Sequence, residues 1–136
     1  MITTSFAKQF AEHWLTSWNC HDLDAILSHY AEDFEMISPY ISSVAHEPSG
    51  ILKGKKSVKD YWNKALSIYP ELHFEFINVL CGMNSIVINY KGLRGVAAET
   101  FILNSDGLVV IQSLITNKNR LRNYISILIN MVICSK

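Results

Sequence analysis

The stretch Glu99–Thr116, ETFILNSDGLVVIQSLIT, reads as two strands folded back on each other. Ser105-Asp106-Gly107 supplies the turn. Aspartate bonds its own backbone in tight turns, and glycine reaches positive φ without a Cβ clash. The arms, Val96–Leu103 and Leu108–Thr116, are rich in Val, Ile, Leu and Phe, as half-buried strands are. Upstream, Ser85–Lys91 and Leu72–Cys81 read the same way, with Gly82-Met83-Asn84 and Lys91–Gly95 as the intervening turns. Four strands in succession joined by short turns predict an antiparallel meander.

The first half has a different period. Phe6, Ala7, Phe10, Ala11, Trp14, Leu15 and Trp18 recur at helical spacing, with Thr3, Thr4 or Ser5 as the cap and Asn19–His21 as the break. Asp22 caps a second, short helix with Leu23, Ile26, Leu27 and Tyr30 on one face. Phe34–Ser38 reads as a strand with Phe34, Met36 and Ser38 on one side, ended by Pro39. Residues 40–54 read as a loop. Val58, Tyr61, Trp62, Ala65, Leu66 and Tyr69 mark a third helix over Ser57–Tyr69, stopped by Pro70. Helices first and a meander afterwards predict an α+β fold.

Composition narrows the function. The chain has 136 residues, 49% hydrophobic and 18% charged, which suits one ordinary domain with its own core. Basic and acidic residues balance at 12 each, so no long-range field draws in nucleic acid or an anionic membrane. Cys20, Cys81 and Cys134 are odd in number and far apart, which argues against disulfides and for a reducing, cytoplasmic compartment. Met1–Phe10 lacks the charged-then-apolar pattern of a signal peptide. The apolar run Tyr124–Cys134 is too short to span a bilayer and is interrupted by Ser126 and Asn130. Ile125, Leu128, Ile129, Val132 and Ile133 fit one helical face. Residues 118–136 are therefore expected as an extra apolar tail on a domain spanning 1–117, either a closing helix or a poorly ordered end.

Three motifs, in order, carry a resemblance. Trp18-Asn19, His21-Asp22-Leu23-Asp24 and Tyr30-Ala31-Glu32-Asp33-Phe34 resemble the opening xWNxxDLDxxxxxYADDF of the nuclear transport factor 2-like (SnoaL-like) superfamily. Gly54, Val58 and Tyr61-Trp62 resemble its third helix. Glu99-Thr100-Phe101 with Asp106-Gly107-Leu108-Val109 resembles its closing hairpin. The resemblance covers Phe6 to about Thr116. It implies a cystatin-like cone: a curved, mixed and mostly antiparallel sheet wrapped by three N-terminal helices around an internal cavity. It also implies that the other sheet face forms a homodimer. It does not choose a function, because this fold hosts isomerases, cyclases, hydrolases, binding proteins and dimerisation modules.

The resemblance sets the strand parity. If Glu99 faces the cavity, as its family counterpart does, Phe101 and Leu103 follow it inward. On the neighbouring strands Ile86, Ile88 and Tyr90 face in, with Val110, Gln112, Leu114 and Thr116. Val87, Val96, Ile102, Val109, Ile111 and Ile115 then form an apolar outer face with no helix left to cover it.

Glu99 is the foremost candidate for chemistry. Burial raises the pKa of a carboxyl and lets it act as a neutral donor or a general acid. The resemblance implies the same: in the ketosteroid isomerase branch, the position matching Glu99 holds a carboxylic acid of the oxyanion site, kept protonated by its apolar surroundings. The competing reading is a Glu99 that pairs with Gln112 or Tyr90 and only shapes the pocket. The other isomerase positions depart from the pattern. Trp14 stands where that branch has a tyrosine donor, and Ser38 where it has a carboxylate base, which argues against steroid isomerase chemistry. His46, in the loop near the expected mouth, is the candidate for a missing base, against the plainer reading of a solvated loop histidine. The expected pocket wall comprises Trp14, Trp18, Tyr30, Met36, Ser38, Trp62, Ile88, Tyr90, Phe101, Gln112 and Leu114, an aromatic-rich set with few polar groups. No His, Asp or Glu set has metal-ligand spacing, so neither metal nor cofactor is expected.

The sequence thus predicts a small cone that binds an apolar or aromatic molecule. Isomerase- or cyclase-like acid/base chemistry is one reading. A non-enzymatic binding protein, or a dimerisation or interaction module, is the alternative.

Overall fold

Thr3 starts the first element as a side-chain cap, its Oγ1 accepting the Phe6 N–H at 3.1 Å, in a computed structural model that describes residues 1–117. Helix α1 (Thr4–Asn19) follows, and it buries Phe10, Trp14 and Trp18 along one stripe. Asp22 caps α2 (Leu23–Leu27) as expected, its Oδ1 accepting the Ala25 N–H at 3.0 Å. A cap of this kind contributes about 1 kcal/mol.

The next strand, β1 (Tyr30–Ile37), starts four residues earlier than the sequence suggests. Tyr30, expected on the second helix, is its first residue. Parallel pairing with the last strand draws it there, with Tyr30 opposite Val109 and the Val109 N–H donating to the His29 carbonyl at 2.8 Å. Such long-range pairing leaves no local signature.

The region read as a loop holds two further elements, α3 (Pro39–Val44) and β2 (Ile51–Lys53). Pro39 both ends β1 and opens α3, because its fixed φ suits the first helical turn. Ser38 caps that turn, accepting the Tyr40 N–H at 3.1 Å. There are therefore four helices before the meander among the described residues, not three. The fourth, α4 (Lys55–Ile68), is the helix expected over residues 57–69.

The meander forms as predicted: β3 (Glu75–Cys81), β4 (Ser85–Gly92), β5 (Gly95–Leu103) and β6 (Val109–Thr116). The sheet is curved and unclosed, in the order β2-β1-β6-β5-β4-β3, parallel between β1 and β6 and antiparallel elsewhere. Helices α1 and α4 cover one face. Phe10 and Trp14 meet Phe101 edge-on, and Trp62 meets Tyr30 and Phe34.

One parity expectation is overturned. Leu103 lies opposite Val109, but Ile102 lies opposite Ile111, so Val110 is an extra residue in β6. A bulge reverses the faces beyond it. Val109 is therefore fully buried on the inner face, and Val110 leaves it. From Ile111 to Thr116 the expected alternation holds, with Ile111 exposed and Gln112 buried.

The apolar tail expected over residues 118–136 lies outside the described residues. No described helix is long and apolar enough to cross a membrane.

Candidate functional site

The inner sheet face and the helices enclose a cavity of about 130 Å³, open at one end. Its floor is polar and its wall aromatic. Glu99, from the middle of β5, reaches the floor, where strand alternation has put it between Tyr90 of β4 and Gln112 of β6. Tyr90 Oη donates to Glu99 Oε1 at 3.0 Å, and Gln112 Nε2 donates to Glu99 Oε2 at 2.9 Å.

Behind this pair runs a chain of buried groups. Trp14 Nε1 donates to Tyr30 Oη at 3.0 Å, and Tyr30 Oη donates to Gln112 Oε1. The direction of the chain follows from its first member. An indole N–H is only a donor, so Tyr30 oxygen accepts and its proton goes to the Gln112 oxygen. The Gln112 amide nitrogen must then face Glu99. This settles the amide orientation by chemistry. It also settles where Glu99 holds its proton. The Gln112 amide nitrogen facing Oε2 can only donate, whereas the Tyr90 hydroxyl facing Oε1 can also accept, so a neutral Glu99 carries hydrogen on Oε1, on the Tyr90 side.

Burial pushes the Glu99 carboxyl from 4.5 up to about 7, against the opposing pull of the Gln112 and Tyr90 hydrogen bonds. The group can therefore lose and regain a proton near neutrality. Tyr30 and Tyr90 are held well above the usual phenol value, chiefly by burial, and stay protonated donors.

The wall consists of Trp18, Tyr61, Trp62, Phe74 and Met36, with Leu114 and Ala97 from the sheet. Trp18 meets Trp62 edge-on with ring centres 5.1 Å apart. Its indole N–H is buried and has no hydrogen-bond partner among the described residues. Burial pushes Tyr61 up to about 12, opposed by a hydrogen bond with Ser38. Ser38 thus serves α3 and Tyr61.

The mouth is set by Tyr40 of α3, Tyr69 at the end of α4 and Arg94 in the β4–β5 turn. The Arg94 guanidinium lies over the Tyr40 ring at 4.2 Å and the Tyr69 ring at 5.0 Å, and donates to Tyr69 Oη.

Three comparisons place this geometry. The SnoaL-like domain family matches residues 11–110, from the middle of α1 to the start of β6. The chain belongs to the SnoaL-like family. A SnoaL-like protein of unknown function from Burkholderia thailandensis is 50% identical, with a TM-score of 0.80 over 84% of this chain and 96% of that one. TerC, co-crystallised with polyporic acid, shares the fold at 13% identity, with a TM-score of 0.71 over 86% of this chain and 95% of that one. An uncharacterised cystatin-fold protein from Novosphingobium aromaticivorans does so at 13% identity, with a TM-score of 0.66 over 81% and 97%. No curated protein matches.

Within this SnoaL-like cone, seven residues expected in the wall line the cavity, Trp18, Met36, Ser38, Trp62, Tyr90, Gln112 and Leu114, together with Glu99. Trp14, Tyr30, Ile88 and Phe101 are buried behind it as the layer that holds the floor. His46 is exposed after α3, in left-handed backbone at φ 55°, and is not among the residues lining the cavity. No group of three metal-binding side chains occurs among the described residues. Sequence reading missed Arg94, Tyr69 and Phe74 as site residues. Arg94 lies in a segment legible only as a turn, and Phe74 in one legible only as strand. His13 of α1 and His29 after α2 also meet. Their ring nitrogens lie 2.5 Å apart, and burial first, then His13, lowers His29 to about 4.

Proposed function

We propose that this cone binds a small ring-bearing molecule and moves a proton on it, with Glu99 as the single acid/base group and Tyr90 as its hydrogen-bonding partner. The observation that carries the reading is a carboxyl with a pKa of about 7 at the floor of an aromatic cavity. A general acid or base works best when its pKa lies near the working pH. Neutral Glu99 donates from Oε1 to a ligand carbonyl; ionised Glu99 takes a proton from the adjacent carbon. Isomerisation and ring closure through an enol both need these two steps.

The test is solvent exchange. A panel of cyclic 1,3-diketones is incubated with protein in deuterated buffer, and deuterium entry at the acidic carbon is followed by NMR. The parent is expected to accelerate exchange, and Glu99→Gln to slow it by at least about 100-fold. Equal rates in the two proteins overturn the reading.

One observation favours binding without turnover. Glu99 is the only carboxylate or imidazole lining the cavity among the described residues. In that case the panel binds, and neither protein speeds the exchange.

We also read the outer sheet face as the contact between two copies of the chain. Val96, Leu80 and Ile115 are 61%, 60% and 57% exposed there, beside Ile111, and no described element covers them. The face is apolar enough to pair with itself. Light scattering at micromolar concentration should show a dimer, and Ile111→Glu should split it or make the protein insoluble. A monomeric parent overturns this.

Residues 118–136 we read as an addition to the domain, because β6 already pairs on both sides, with β1 and β5. Deleting them should leave a cooperative thermal transition. A truncated chain without one shows the tail to be structural.

A further inference from the structure

Outside the cavity, two histidines from different elements meet. His13, in the middle of α1, and His29, between α2 and β1, bring Nδ1 and Nε2 to 2.5 Å, with ring centres 4.7 Å apart and planes inclined at 70°. Neither lines the cavity. Both stand on fixed backbone. The His13 carbonyl accepts the Ser17 hydroxyl at 2.7 Å within α1, and the His29 carbonyl accepts the Val109 N–H at 2.8 Å, which ties it to β6. The His29 ring is half-buried and packs edge-on against Phe10, with ring centres 4.8 Å apart. His13 is exposed, so the pair opens to water. Two ring nitrogens this close hold one proton between them: two N–H groups would collide, and two bare lone pairs would repel.

We propose that His13 Nδ1 and His29 Nε2 form a binding site for a divalent transition-metal ion of the zinc, nickel and copper class, with water completing its coordination. Imidazole is a favoured ligand for these ions. The ion enters without any net loss of protons. The shared proton moves to the outer nitrogen of the ring that donates it, and both inner lone pairs are then free. Burial first, then His13, lowers His29 to about 4, so its ring is neutral at pH 7 and no extra proton competes with the ion there. Zinc–imidazole bonds of about 2.0–2.1 Å set two ligand nitrogens roughly 2.9–3.4 Å apart. The rings must therefore separate by roughly 0.4–0.9 Å, which a small rotation of the exposed His13 side chain supplies. An ion held there clamps α1 to the start of the sheet. The site is independent of the chemistry at Glu99.

The experiment titrates Zn2+ alone into the full chain at pH 7 by calorimetry, beside His13→Gln, His29→Gln and, as a control, His46→Gln, an exposed histidine elsewhere. The parent and His46→Gln are expected to bind one ion per chain. Each variant of the pair should bind at least about tenfold more weakly, since losing even an outer partner of a metal ligand costs that much. Saturating Zn2+ should raise the thermal midpoint of the parent and leave that of His13→Gln unmoved, because only the folded chain brings the two rings together. With Cu2+ in place of Zn2+, the electron spin resonance spectrum of the parent should show coupling to two imidazole nitrogens. An affinity unchanged in both pair variants marks an adventitious ion only and overturns the inference. A parent that binds no Zn2+, or a Cu2+ spectrum without the two nitrogens, overturns it as well. If His29→Gln does not fold, the exposed His13→Gln and the Cu2+ spectrum decide the matter.

Discussion

Trp14→Ala is expected to cost about 3–5 kcal/mol of unfolding free energy, the range for removing a large buried aromatic side chain. That is a large share of the roughly 5–15 kcal/mol that holds a domain together. Trp14 is fully buried and touches Trp18, Phe74, Tyr90 and Phe101. Deleting its ring opens a cavity between α1 and the sheet. Chemical denaturation should show a much lower midpoint, or no folded baseline. Trp14→Phe separates packing from hydrogen bonding. It keeps a ring in the core but removes the N–H that donates to Tyr30. Tyr30 then no longer has to donate to Gln112, and the Gln112 amide can present its oxygen to Glu99. An acceptor in that place favours protonated Glu99. The Glu99 midpoint should therefore move above its parent value of about 7, read from the side-chain carboxyl carbon by NMR. An unchanged midpoint would show that the chain from Trp14 does not orient the amide.

Glu99 should also make the protein less stable as the pH rises. Its folded pKa is about 7 against 4.5 for a free glutamate. Below 4.5 both states hold the proton, and Glu99 adds no pH dependence. Between these values the unfolded chain releases its proton while the folded protein keeps it, so unfolding becomes easier. Above about 7 the loss is complete. The full effect is about 3 kcal/mol, at roughly 1.4 kcal/mol per pKa unit. Denaturation of the parent and of Glu99→Gln at intervals from pH 4 to 8 isolates it, because glutamine does not titrate. The stability gap should widen in favour of Glu99→Gln across that window. A constant gap would place the folded pKa near that of a free glutamate, and the proton-transfer reading would lose its support.

Much of this site was legible as pattern. Alternation groups Glu99, Phe101 and Leu103, and Ile86, Ile88 and Tyr90, on common faces, the resemblance at Glu99 turns those faces inward, and all six are buried. The pairing of Glu99 with Tyr90 and Gln112 follows once the strands are set side by side. Val109 resisted the same reasoning, because one bulged residue reverses a face and leaves no mark in hydrophobicity. The helix at Pro39–Val44 was hidden by its shortness: six residues show no period, and its cap, Ser38, also reads as the end of a strand.

The amino-acid order by itself determined α1, α2, α4 and the four strands of the meander, which meander residues alternate together, and the presence of a lone carboxylate among aromatic residues; the inward direction of Glu99 came from the family resemblance. The elements and their alternation are local properties, carried by periodicity, caps and turn residues within a few positions. Only the tertiary structure decided that Tyr30 opens a strand beside β6, that Trp14 reaches Glu99 through Tyr30 and Gln112, and that Arg94 is clasped by Tyr40 and Tyr69 at the mouth. Those contacts join residues up to 82 positions apart. Their geometry depends on sheet order and curvature, which come from the packing of the whole chain and from no single window of it.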